Sequence, residues 1–189
     1  MRHVSATEAG RLLREGKAGL VPTETVVGLV AGEAGLPRLF EIKSRDPGKP
    51  IALLCGSAGD ALALARTIPP LARSLANRFW PGPLTLILDA EGGGTVGVRV
   101  PAHPAIRAVL SSYGEPLYAT SANRSGRSAP SALGEMDSAI SATVDFVVEG
   151  GPGSGEASAV VDLSGGGSRL LRPTEDFTEE VLYHLLSRE

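Results

Sequence analysis

Apolar residues come in short blocks along this chain, and the blocks predict many short elements rather than a few long ones. Ser5-Ala6-Thr7-Glu8 reads as a capping box that opens a helix to about Arg14. AGLVP, residues 18–22, reads as a short buried strand. The apolar run is broken there by Pro22, Thr23, Glu24 and Thr25 and resumes at Val26, which reads as one strand with a polar interruption. Residues 36–43 look helical, with Pro37 acceptable in the first turn. Residues 51–55 form a strand candidate. Residues 58–67 and 71–79 look like two helices parted by Pro69-Pro70. Residues 84–88 and 96–100 read as strands around Gly92-Gly93-Gly94. A helix is expected over 104–110, strands over 116–120 and 146–148, and a surface loop over 150–155. Strands over 159–163 and 169–171 and a helix over 178–187 complete the pattern. Strands and helices mix without a strict βαβ rhythm, which predicts a mixed sheet covered by helices. No internal repeat or low-complexity linker divides the chain, so residues 1–189 are expected to form one domain.

Composition narrows the possibilities. A hydrophobic content of 42% with 21% charged residues suits a soluble core. The net charge of −3 means that any nucleic-acid contact must use a local basic patch. Cys55 is the one cysteine, so no disulfide can form within the chain. That fits the reducing cytoplasm, the expected location. The first residues are amphipathic and carry no signal-peptide core, and no apolar run approaches the ~20 residues of a membrane span.

Several chemistries are excluded by pattern. The chain has no G-x-x-x-x-G-K-[ST] phosphate loop, no G-x-G-x-x-G immediately after a strand and no G-x-S-x-G elbow. His3, His103 and His184 lack metal-ligand spacing, so no protein-held metal is expected. Cys55 ends an apolar run and reads as a buried, inert thiol. What remains are short polar side chains at strand ends: Thr23, Ser121, Asn123 and Ser158. Strand ends are where ligands bind in open α/β sheets. Such residues also simply cap helices and make turns, and both readings fit. Cations add weight. Lys43, Arg45 and Lys49 lie in KSRDPGK, Arg99 sits between valines in GVRVP, and Arg172 ends RLLRP. Lys43 and Lys49 also fit a solvated helix end, and Arg99 and Arg172 fit the outer face of alternating strands. If they converge instead, their donors suit phosphates or carboxylates.

These residues resemble a known family. PTETVVGL, KSRDPGKP, FWPGPLTLIL, VRVP, ATSANRSG, SAVVD and LRP occur in the order seen in the YrdC/Sua5 family, over residues 22–173. The resemblance is to the short, single-domain form. It implies a YrdC-like α/β fold, a twisted sheet of parallel and antiparallel strands surrounded by helices, with a positively lined cleft. It implies a nucleotidyltransferase that makes threonylcarbamoyl-AMP and pyrophosphate from L-threonine, bicarbonate and ATP, with Mg2+ accompanying the ATP. The product would feed t6A modification of tRNA through a downstream transferase complex. By the same resemblance, Lys43, Arg45, Lys49, Thr95, Ser121, Asn123 and Arg172 would bind ATP. Thr23, Arg99, Ala119 and Ser158 would bind threonine, Ala119 through its backbone. Arg45, Lys49 and Arg172 would position the phosphates and stabilise their charge, with no strict general base. The alternative is a relative that binds nucleotide or double-stranded RNA without synthase activity. Val27 stands where the family usually has an aromatic residue, expected at the cleft wall, and Leu54 stands where a threonine-contacting histidine often lies.

Overall fold

The computed structural model describes residues 2–43, 51–124 and 127–187. The short apolar blocks become ten strands: β1 (His3–Val4), β2 (Ala18–Pro22), β3 (Val27–Ala31), β4 (Ala52–Leu54), β5 (Leu84–Asp89), β6 (Thr95–Arg99), β7 (Leu117–Ser121), β8 (Phe146–Val148), β9 (Ala159–Asp162) and β10 (Arg169–Arg172). The helices are α1 (Ala6–Arg14), α2 (Leu36–Lys43), α3 (Ala58–Leu62), α4 (Pro70–Phe79), α5 (Pro104–Tyr113), α6 (Ser138–Ser141) and α7 (Glu179–Leu186). The strands form one mixed sheet in the order β1-β8-β2-β3-β7-β4-β6-β5-β9-β10. Parallel pairs are β1–β8, β2–β8, β4–β6 and β5–β9, and the others are antiparallel.

Local chemistry sets the element ends. Ser5 Oγ accepts from Glu8 N–H and caps α1. Thr178 caps α7 in the same way, and Pro70 and Pro104 open α4 and α5 from the first turn. α5 runs past Leu110 to Tyr113, where Gly114 at φ 88° supplies the left-handed stop.

Two expectations about elements are corrected. The Pro-Thr-Glu-Thr break is a hairpin turn between two strands, not a gap in one: β2 and β3 pair antiparallel from Ala18–Ala31 to Pro22–Val27. The helix expected over 58–67 stops at Leu62. Beyond it Ala65 bridges Ala90, and Arg66 N–H donates to Asp89 O, so the chain is drawn onto the end of β5. β1 and α6 had too little periodicity to be expected.

Helices cover the two faces unevenly, and this makes the site. On one face, α1 and α5 pack over the β8-β2-β3 side through Leu12, Leu13, Val21, Val30, Ile106, Val109 and Phe146. On the other face, α2 and α6 cover the same side through Leu20, Leu29, Leu39 and Ile140. α3, α4 and α7 cover the β6-β5-β9 side of that second face, with Leu75, Leu84, Leu86, Val98, Val161 and Leu182 at the centre. The first face of β4, β6, β5 and β9 has no comparable helix layer among the described residues. Small residues lie there, and a cavity opens over them.

Candidate active site

The sheet register assembles the cavity floor. Gly28 pairs with Ser121, Ala119 with Ala52, Leu54 with Arg99, Gly97 with Ile87, and Thr85 with Val160. Because side chains alternate along a strand, these residues share one face. All of them line a cavity of about 330 Å3, the size range of small-molecule sites. Gly28, Ala52, Gly97 and Ala119 keep the floor low. The Thr23–Thr25 turn, Ala129, Ser158 and Arg172 form its walls.

The distribution of buried polarity singles this place out. Among the described residues, the buried polar or charged side chains are Thr23, Thr25, Lys43, Thr85, Arg99 and Ser158. All but Lys43 line this cavity. Buried polar groups cost stability unless they are partnered, so their concentration here needs a reason beyond packing.

Arg99 is the centre of one network. Its Nη2 donates to Glu24 Oε1 at 2.7 Å, Nη1 and Nη2 both donate to Thr25 Oγ1 at 3.1 Å, and Nε donates to Gly82 O at 3.1 Å. Glu24 Oε2 also accepts from His103 N–H. Burial pushes the Glu24 carboxyl up, but the Arg99 charge and hydrogen bonds from Arg99 and the backbone outweigh it and hold the group below its ordinary value. Thr23 Oγ1 donates to Val26 O at 2.7 Å and lies 2.8 Å from Thr25 Oγ1. With the Thr23 hydrogen spent on Val26, the Thr25 hydroxyl is the donor between them, and donation runs from Arg99 through Thr25 and Thr23 to Val26 O. Thr23 therefore lines the cavity with its hydroxyl already used inside the turn.

Arg172 is the centre of a second network. Its Nε donates to Ser158 O at 2.6 Å and its Nη2 to Ser158 Oγ at 3.2 Å. Ser158 Oγ lies 2.9 Å from Thr85 Oγ1. Partial burial lowers the Arg172 pKa, and repulsion from Arg99 lowers it further. Both guanidinium groups line the cavity, Arg99 buried and Arg172 exposed to solvent.

Of the residues expected from sequence, Thr23, Thr95, Arg99, Ala119, Ser121, Ser158 and Arg172 come together here. Arg99 is buried, so it does not occupy the outer face of an alternating strand. Lys43 is buried too, not a solvated helix end. Its Nζ donates to Ser121 O at 2.6 Å, to Asn123 O at 2.5 Å and to Asn123 Oδ1 at 3.1 Å, tying α2 to the end of β7. Asn123 Oδ1 also accepts from Ser121 Oγ at 2.5 Å, so Lys43 and Asn123 stand behind the lining rather than in it. Arg45 and Lys49 lie outside the described residues. Leu54 lines the cavity as an apolar patch. Val27 does not: it is fully buried with Leu29, Leu39 and Ile140 on the opposite face, and Val26 and Gly28 face the cavity instead. Cys55 is fully buried, and desolvation, helped by the charge of Asp60, pushes its thiol up to about 12. Sequence reading missed Thr25, Glu24 and Thr85. The signal for Thr85 was present, since one hydroxyl in the apolar run LTLIL invites the question of its partner.

A family model named for Sua5, YciO and YrdC, and described as telomere recombination, matches residues 11–174. The chain belongs to this family. It is 36% identical over 178 residues to the threonylcarbamoyl-AMP synthase of Pyrococcus abyssi, covering 87% of this chain and 52% of that one. It is 33% identical over 180 residues to the threonylcarbamoyl-AMP synthase of Bacillus subtilis, covering 88% and 52%. The crystal structure of Pyrococcus abyssi Sua5 complexed with L-threonine superposes with a TM-score of 0.81 at 33% identity, covering 91% of this chain and 56% of that one. The chain thus spans about half the length of these relatives. The family's YrdC-like α/β fold, with its mixed sheet and flanking helices, is the fold described above.

Proposed function

We propose that the cavity is the active site of an L-threonylcarbamoyladenylate synthase, a nucleotidyltransferase acting on L-threonine, bicarbonate and ATP. The observation that carries the reading is the gathering of the buried polar side chains around one small-residue floor, with Arg99 and Arg172 in the lining. The similarity to a Sua5 structure complexed with L-threonine supports the amino-acid half of the reading.

The chemistry asks for positioning more than for covalent work by the protein. The threonine amine attacks the carbon of CO2, with release of a proton from nitrogen to solvent, or of bicarbonate, with a C–O bond broken and water leaving, and forms a carbamate. A carbamate oxygen attacks the α-phosphorus, the bond to the bridging oxygen breaks, and pyrophosphate leaves with that electron pair. Held donors facing the developing negative charge lower such a barrier. Arg172 and Arg99 supply them from the described residues, with Arg45 and Lys49 proposed beside the phosphates. Thr95 and Ser121 would meet the nucleotide, with Lys43 and Asn123 holding Ser121 in place. Ala119 and Ser158 would meet the threonine, and Thr23 would shape its wall. Among the described residues there is no group of three or more His, Cys, Asp or Glu side chains that could hold a metal ion. Mg2+ would come and go with the ATP. The product would pass to a t6A transferase complex acting on tRNA. No helix among the described residues is long and apolar enough to cross a membrane.

The test is pyrophosphate release from ATP and bicarbonate by the full chain, with and without L-threonine. Threonine-dependent release is the expected result. ATP binding without release under any combination would instead favour a nucleotide-binding protein that lacks synthase activity.

A further inference from the structure

Each hydroxyl carries one hydrogen, and counting where those hydrogens go separates the two hydroxyl pairs of the cavity. In the Thr23–Thr25 pair both are spent, on Val26 O and between the two side chains. The Thr85–Ser158 pair is different. Its two oxygens are 2.9 Å apart, so one hydrogen is spent between them. Ser158 Oγ also accepts from Arg172 Nη2, which consumes no hydroxyl hydrogen. The second hydrogen of the pair has no acceptor among the described residues. If Ser158 donates to Thr85, the Thr85 hydrogen is left over; if Thr85 donates to Ser158, the Ser158 hydrogen is. Both side chains are buried, at 7% and 5% exposure, where an unspent donor is costly. Both line the cavity.

The charges around the pair set the kind of acceptor. The register that pairs Leu86 with Val98 carries Thr85 opposite Arg99. On its other side, Thr85 pairs with Val160, which is also the register partner of Arg172. Thr85 thus stands between two guanidinium groups. Glu24 neutralises Arg99 in part, and Arg172 has no acidic partner among the described residues.

We propose that Thr85 is a substrate-binding residue, acting with Ser158 as one adjustable donor that takes an anionic oxygen between Arg99 and Arg172. The inference rests on the synthase reading. The oxygen belongs either to the amino-acid carboxylate or carbamate, or to a nucleotide phosphate. Which of the two hydroxyls donates is decided by where that oxygen sits.

Calorimetric titration of L-threonine and of ATP, separately and together, tests it with wild type, Thr85→Val and Thr85→Ser. Valine keeps the shape of threonine and removes the donor. Thr85→Val is expected to weaken one ligand by on the order of tenfold, with an unchanged melting temperature, and Thr85→Ser to bind nearly as wild type. Loss confined to L-threonine assigns the oxygen to the carboxylate, and loss confined to ATP assigns it to a phosphate. Equal binding of both ligands by Thr85→Val and wild type would overturn the proposal and leave the synthase reading standing. If Thr85→Val does not fold, weakened binding by Thr85→Ala with recovery in Thr85→Ser supports the proposal, and binding by Thr85→Ala equal to wild type overturns it. Wild type that binds neither ligand would overturn the synthase reading and this proposal with it.

Discussion

Glu24 joins three segments at once: its carboxylate takes Arg99 from β6 and His103 N–H ahead of α5, and its backbone carbonyl takes Ser154 N–H. The pair with Arg99 is largely desolvated, with side-chain exposures of 8% for Arg99 and 20% for Glu24. Breaking such a pair costs more than loss of a surface contact, because the remaining charge stays buried. Glu24→Gln keeps the shape and removes the charge. It is expected to cost roughly 1–3 kcal/mol at neutral pH in chemical denaturation. The pH dependence follows from the depressed carboxyl. Its stabilising effect is complete above the unfolded-state value and fades as pH falls through the folded-state value. Wild type should therefore lose stability more steeply than Glu24→Gln below about pH 5. Parallel pH profiles of the two proteins would contradict the role given to this ion pair.

At the scale of elements, the loop over 150–155 is exposed, as its glycines suggested, yet it is also tied to the hairpin turn between β2 and β3. Gly153 N–H donates to Ser131 O, Ser154 N–H to Glu24 O and Gly155 N–H to Thr25 O. The approach is so close that a Cβ on Gly153 would collide with Thr25 O and lie 2.6 Å from Thr23 O. Gly151 has open space around its Cβ direction. Gly153→Ala should cost roughly 1–3 kcal/mol and weaken substrate binding, because the cavity wall must shift. Gly151→Ala should change stability by less than about 0.5 kcal/mol. Thermal melts of the two variants check this, and equal melting temperatures would show that the loop does not brace the turn. The same loop marks a limit of sequence reading. Gly-Pro-Gly-Ser-Gly announces a turn-rich surface segment, but nothing local says that its inner side meets a turn more than a hundred residues earlier in the chain. By contrast, α1, α2, β2 and the β5–β6 hairpin were legible because periodicity, caps and a glycine turn agree there.

Over the whole molecule, the site is a consequence of uneven helix coverage on a ten-stranded sheet. Sequence reading singled out Thr23, Arg99, Ser121, Ser158 and Arg172 of its lining, because polar residues at strand ends and arginines in apolar strands are visible without a structure. It could not assign faces. Val27 and Gly28 are neighbours in a uniformly buried strand, and only pairing with β7 turns Gly28 to the cavity and Val27 to the opposite core. Nor could it show that Lys43 is enclosed against the end of β7. If the cavity joins three substrates, all three must leave atoms in one product. Supplying the full chain with ATP, L-threonine and isotope-labelled bicarbonate and weighing the nucleotide products reads this out. The expected product is an adenylate that contains threonine and retains the bicarbonate carbon, formed in step with pyrophosphate. A threonine adenylate without the label, or pyrophosphate released with no need for threonine, would contradict the synthase reading.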